Sequence, residues 1–79
     1  MLTAYIHAAM RKAHYELLED GTYYAEIDGL QGVWADADTL EECREDLRST
    51  LEDWILFSLQ TGASVPPVDG MDLNVAKIA

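Results

Sequence analysis

Seventy-nine residues with fifteen acidic and five basic side chains, a formal charge of −10 and nearly half the positions apolar describe one small folded domain with a modest core. The charge excludes a surface that attracts phosphate, so no direct binding to nucleic acid or an anionic membrane is expected, and no apolar run approaches the ~20 residues of a bilayer span. A single cysteine, Cys43, excludes a disulfide framework, and since a chain this short buries only about 60% of its unfolded surface, a homodimer or higher homo-oligomer is expected to supply further burial.

Leu2, Tyr5, Ile6, Ala9 and Met10 recur at helical spacing, with Thr3 as a candidate cap, and predict a short N-terminal helix within residues 1–12. Arg11 and Lys12 fall at its C-terminal end, where cations suit the helix dipole. The same opening segment lacks the charged start and long apolar stretch of a signal peptide, so a cytoplasmic address is expected, and an unpaired thiol fits a reducing compartment.

From Ala13 the period changes to two. Ala13, Tyr15 and Leu17 alternate with His14, Glu16 and Leu18, which predicts a strand, and Asp20-Gly21 is a strong hairpin signal. Thr22 to Ile27 alternates again, Gly29 and Gly32 mark a second turn, and Val33 to Ala37 reads as a third strand. Three short strands with tight connections make an antiparallel meander.

Thr39-Leu40-Glu41-Glu42 matches a capping box, in which Thr39 accepts from the backbone three residues on and Glu42 reaches back. The helix it opens is expected from Leu40 to about Gln60, with Gly62 as C-cap. Leu40, Cys43, Leu47, Leu51, Trp54 and Leu59 form the stripe expected to cover the sheet. Residues 63–79 begin as a loop with Pro66, Pro67 and Asp69-Gly70, and Leu73 to Ile78 reads equally as a fourth strand or a tail. The fold class is therefore α+β: a three-stranded antiparallel sheet, with a fourth strand left open, packed on one long helix in the order β-β-β-α(-β). An extra N-terminal helix precedes a 13–62 core, and the whole is one domain over 1–79.

One helix covers one sheet face. Tyr15, Leu17, Tyr23, Ala25, Ile27, Val33 and Ala35 are the natural covered set. His14, Glu16, Leu18, Thr22, Tyr24, Glu26, Trp34 and Asp36 then share the other face, whose mixture of aromatic and acidic side chains has the composition of an interface. Leu18, Tyr24, Glu26, Trp34 and Asp36 are the expected partner-binding residues. Cover by the N-terminal helix or the tail is the plainer alternative. Leu56 points away from Leu40 and Leu51, which implies a second contact for the long helix.

Chemistry is weakly represented. His7, His14 and Cys43 lack the paired spacing of a zinc site, and Cys43 falls on the core stripe of a helix, where a thiol is inert. Glu26, Asp28, Asp36 and Asp38 could in principle hold Mg²⁺, but acidic residues before a helix have sufficient reason in its dipole. Gly29-x-x-Gly32 has no basic neighbour to meet a phosphate, and the helix charges Glu41, Arg44, Glu45, Arg48, Glu52 and Asp53 suit a solvated face with i,i+3 and i,i+4 partners. No catalytic residue, metal or cofactor is expected, and the chain reads as a non-enzyme.

Tyr23 to Ile27, the Leu30-x-Gly32 turn and the run from Val33 to Cys43 together resemble the N-terminal, UPF0150-type domain of the HicB antitoxin family, over roughly residues 13 to 60. That resemblance implies a degenerate ribonuclease-H-like fold without nuclease residues. It also implies a partner, a small basic HicA-like mRNA-cleaving toxin whose active site the domain covers, and assembly into dimers or larger oligomers. A solitary HicB-like oligomerisation or regulatory module with no toxin is the alternative. Asp28 and Gln31 stand where the family usually has proline, Cys43 where alanine is common, and the N-terminal helix is outside the usual pattern. Relatives often add a C-terminal DNA-binding domain. The seventeen residues after Gly62 are too few for one, so DNA binding is not expected.

Overall fold

The structure is a computed structural model that describes residues 2–73. Helix α1 (Leu2–Arg11) leads into strands β1 (Ala13–Leu17), β2 (Tyr23–Ile27) and β3 (Trp34–Ala37), and helix α2 (Leu40–Thr61) follows. The sheet is antiparallel throughout in the order β1-β2-β3. This is the expected α+β arrangement. The fourth-strand reading of Leu73 to Ile78 lies outside the described residues apart from Leu73, which sits in a 3₁₀ turn.

The turns follow local chemistry. Leu18 and Thr22 flank a three-residue hairpin loop in which Gly21 takes φ +87°, a conformation that favours glycine. Asp20 replaces a backbone partner there. Its carboxylate accepts from the Thr22 amide at 3.0 Å and the Thr22 hydroxyl at 2.6 Å, and these bonds hold its pKa below the usual carboxylate value. Asp69-Gly70 forms the tighter two-residue turn, with φ of 49° and 78° and reciprocal Val68–Met71 backbone bonds of 3.0 and 2.8 Å.

The Thr39 cap forms, with Glu42 reaching back to the Thr39 hydroxyl in place of the Thr39 amide that a full capping box uses. The Glu42 amide donates to Thr39 Oγ1 at 3.1 Å, and the Thr39 hydroxyl donates to Glu42 Oε1 at 3.2 Å. Gly62 closes α2 in the left-handed conformation, its amide bonded to the Ser58 carbonyl. At α1 the structure differs, because Thr3 lies inside the helix rather than capping it, and Ala8 is buried while Leu2 is exposed.

The core is one cluster. Ala25, Ile27, Val33 and Ala35 meet Cys43, Leu47, Leu51 and Ile55 of α2, and Tyr5, Ile6, Ala8 and Ala9 of α1 extend it. The buried row on α2 is therefore 43, 47, 51, 55. Trp54 and Leu59 flank it half-buried, and Leu40 is exposed. The reason is length. A 22-residue helix is about 33 Å long, and a five-residue strand about 17 Å. The C-terminal half of α2 outruns the sheet and is covered instead by α1 and by Val65, Val68 and Leu73. The Tyr5 hydroxyl donates to the Pro66 carbonyl at 2.5 Å, and Lys12 Nζ lies 3.1 Å from Asp69, so α1 and the tail clip one another.

Candidate protein-docking face

Strand alternation decides which side chains share the uncovered face. Ala25 and Ile27 point into the core, so Tyr24 and Glu26 between them point out. The register sets Glu26 beside Trp34 on β3 and His14 on β1, and Tyr24 beside Asp36 and Glu16. Four of the five expected contact residues, Tyr24, Glu26, Trp34 and Asp36, thus form a contiguous block on the central and edge strands. Leu18 lies one residue beyond β1, half-buried, and joins the face through its amide's 2.8 Å bond to the Thr22 carbonyl.

The block has internal order. The Tyr24 and Trp34 rings stack with centroids 6.1 Å apart and planes inclined by 26°. The Tyr24 hydroxyl donates to Glu26 Oε2 at 3.2 Å, and Trp34 remains 51% exposed. Partial desolvation first, then that hydrogen bond and the charges of Glu26 and Glu16, push the Tyr24 pKa up, so the phenol stays a neutral donor. His14 Nε2 lies 3.2 Å from Asp28 Oδ2 at the rim.

No lysine or arginine sits on the strand positions of this face. Arg11 and Lys12 pair with Asp69, and Arg48 pairs with Glu52 on α2. Neither α1 nor the described tail covers Trp34. Both pack in the core on the α2 side of the sheet.

The assignment of β1 to the covered set requires correction. Tyr15 and Leu17 carry the predicted orientation, paired with Ala25 and Tyr23, yet they are 38% and 62% exposed. A helix about 10 Å wide spans two strands at roughly 4.8 Å spacing, and α2 makes its main sheet contacts with β3 and β2. The inner face of β1 is left as the floor of a groove bordered by His7, Met10, Leu40 and Arg44. The signal for this is helix width against strand count, which hydrophobic alternation along a single strand does not carry.

The candidate ligands for metals are dispersed. Among the described residues no three His, Cys, Asp or Glu side chains gather closely enough to hold an ion. Cys43 is fully buried, its Sγ 3.6 Å from the Tyr23 carbonyl and 3.7 Å from that of Ala35. Burial, then the charges of Asp36 and Asp46, push its pKa up. Among the described residues no helix is long and apolar enough to cross a membrane.

The fold and the face define a small α+β domain, a helix-backed meander with an acidic aromatic sheet surface turned outward. The chain belongs to the UPF0150-like family, whose sequence model matches residues 4–66. It is similar to a protein of known structure from Thermus thermophilus, TTHA0281, at 45% identity and a TM-score of 0.85, over 91% of this chain and 90% of that one. No curated protein matches.

Proposed function

We propose that this protein is a HicB-like antitoxin whose open sheet face covers the active surface of a small basic HicA-like mRNA-cleaving toxin, with no catalysis or cofactor of its own. The observation that carries this reading is the pairing of an exposed aromatic stack with Glu16, Glu26 and Asp36 on a face that holds no lysine or arginine at its strand positions. A surface that binds and cleaves RNA is basic, and an acidic face with apolar anchors complements it in charge and competes with phosphate. The UPF0150-like membership agrees with the HicB resemblance of residues 13 to 60.

The test is to purify the protein with a small basic HicA-like protein, taken from an adjacent reading frame where one is encoded, and to measure complex formation and mRNA cleavage. A stable complex with cleavage suppressed is expected. Separate elution with undiminished cleavage rejects the antitoxin reading in favour of a solitary regulatory module. Trp34→Ala is expected to weaken the complex by about 2 kcal/mol, as an aromatic anchor does. Because Trp34 is half exposed, the same change should alter folding stability by only about 0.5 kcal/mol. A variant that unfolds instead would show that Trp34 serves the core.

A further inference from the structure

We infer that the outward sheet face selects arginine: a guanidinium of a basic protein partner lies on the Trp34 ring, between the carboxylates of Glu26 and Asp28. The inference rests on the reading of this face as the contact for a basic protein, and adds the side chain that the contact recognises.

The outward residues of the three strands form two cross-strand rows, His14–Glu26–Trp34 and Glu16–Tyr24–Asp36. Rings and carboxylates alternate along each row and along each strand. Every ring therefore has carboxylates as its nearest neighbours, and no two carboxylates stand directly opposite, where like charges repel. Tyr24 and Trp34 stack across one diagonal of this grid, and Glu26 and Asp36 occupy the crossing diagonal. A flat cation finds here both of the contacts it uses, a π face beneath it and acceptors at its rim.

The seat is a hollow at the Trp34 end of the grid. It measures about 310 Å³ and is bordered by Trp34, Tyr24, Glu26, Asp28 and the Gly29–Gly32 turn. Tyr24 covers part of the indole, and Trp34 stays half exposed beside the hollow. Both carboxylates are oriented from within the protein. The Tyr24 hydroxyl donates to Glu26 Oε2 at 3.2 Å, and His14 Nε2 lies 3.2 Å from Asp28 Oδ2. Each interaction uses one oxygen, so Glu26 Oε1 and Asp28 Oδ1 are the acceptors that a ligand meets. Two positions along a strand set these residues about 7 Å apart, one to each side of a small planar group. A guanidinium lying flat on the indole directs its N–H groups outward in its own plane, and so reaches carboxylates while stacked. An ammonium carries its donors on one point, holds its water more tightly and has no plane to stack.

Titrating the full chain with hexa-arginine and with hexa-lysine isolates the side chain, because the two peptides carry equal charge. Calorimetry at 0.1 M KCl is expected to show hexa-arginine binding about fivefold more tightly. Trp34→Leu removes the ring and keeps an apolar residue, while Glu26→Gln removes the charge and keeps the shape. Each should bring the ratio of the two affinities to about one. Asp53→Asn removes the same charge from the exposed side of α2, and should weaken both peptides alike with the ratio unchanged. Circular dichroism checks that each variant is folded, and Glu26→Gln alters an exposed side chain, so the test stands even where Trp34→Leu perturbs folding. A wild-type ratio near one overturns the inference. So does a ratio that survives either Trp34→Leu or Glu26→Gln in folded protein. No toxin enters this assay. Failure to form a complex with a HicA-like protein would therefore reject the antitoxin reading alone, whereas a missing arginine preference beside an intact complex would reject arginine recognition alone.

Discussion

Tyr5 ties together two segments that lie 61 residues apart. Its ring is fully buried, and its hydroxyl donates to the Pro66 carbonyl, so it holds α1 against the tail that covers the second half of α2. Tyr5→Phe keeps the packing and removes the bond, and about 1 kcal/mol of stability should go with it, seen as a fall of roughly 4–8 °C in Tm. Burial, then the charge of Asp72, raise the pKa of this phenol. The sign follows from linkage, because a pKa raised above the unfolded value near 10 contributes stability that is complete below about pH 10 and lost as pH rises through the folded value. The gap between wild type and Tyr5→Phe in urea midpoint should therefore close on going from pH 8 to alkaline pH. A gap that stays constant would mean that the phenol's ionisation is not coupled to folding. Cys43 belongs to the same scale. A buried thiol with a raised pKa should react with a thiol reagent only after unfolding, and fast labelling of the native protein would contradict its place in the core.

At the scale of elements, α2 rests on its N-terminal cap. The Thr39 hydroxyl satisfies the Glu42 amide, and Glu41 and Glu42 sit in the first turn, where negative charge suits the dipole. Thr39→Ala should cost about 1 kcal/mol in urea unfolding, and a negligible change would place the start of α2 under tertiary control instead. This cap, the meander order and the Gly62 terminus were legible in the sequence because each depends on residues within four positions of one another. The open face was legible for a similar reason, since strand alternation alone separates Tyr24, Glu26, Trp34 and Asp36 from Ala25, Ile27 and Ala35. What was not legible depends on lengths and widths in three dimensions. Ile55 joins the buried row while Trp54 packs half-buried at its edge, because that row runs on beyond the sheet to meet α1 and the tail. Val65 and Val68 are buried because that overhang needs cover, although their flanking prolines and Asp69-Gly70 read as loop. Tyr15 and Leu17 carry the alternation of covered residues, yet they lie beyond the width of one helix.

At the scale of the whole molecule, charge sets the proposed contact with a basic partner. The chain carries a formal −10, and a basic partner meeting the Glu16, Glu26 and Asp36 face gains from that field. Salt screens it, the Debye length falling from about 10 Å at 0.1 M to about 3 Å at 1 M, while the apolar contacts of Trp34 depend on it little. The complex with the basic partner should therefore weaken between 50 mM and 500 mM KCl, measured by titration calorimetry. Partner affinity that does not fall with salt would remove charge complementarity as the basis of recognition, and would leave the Tyr24–Trp34 stack as its source.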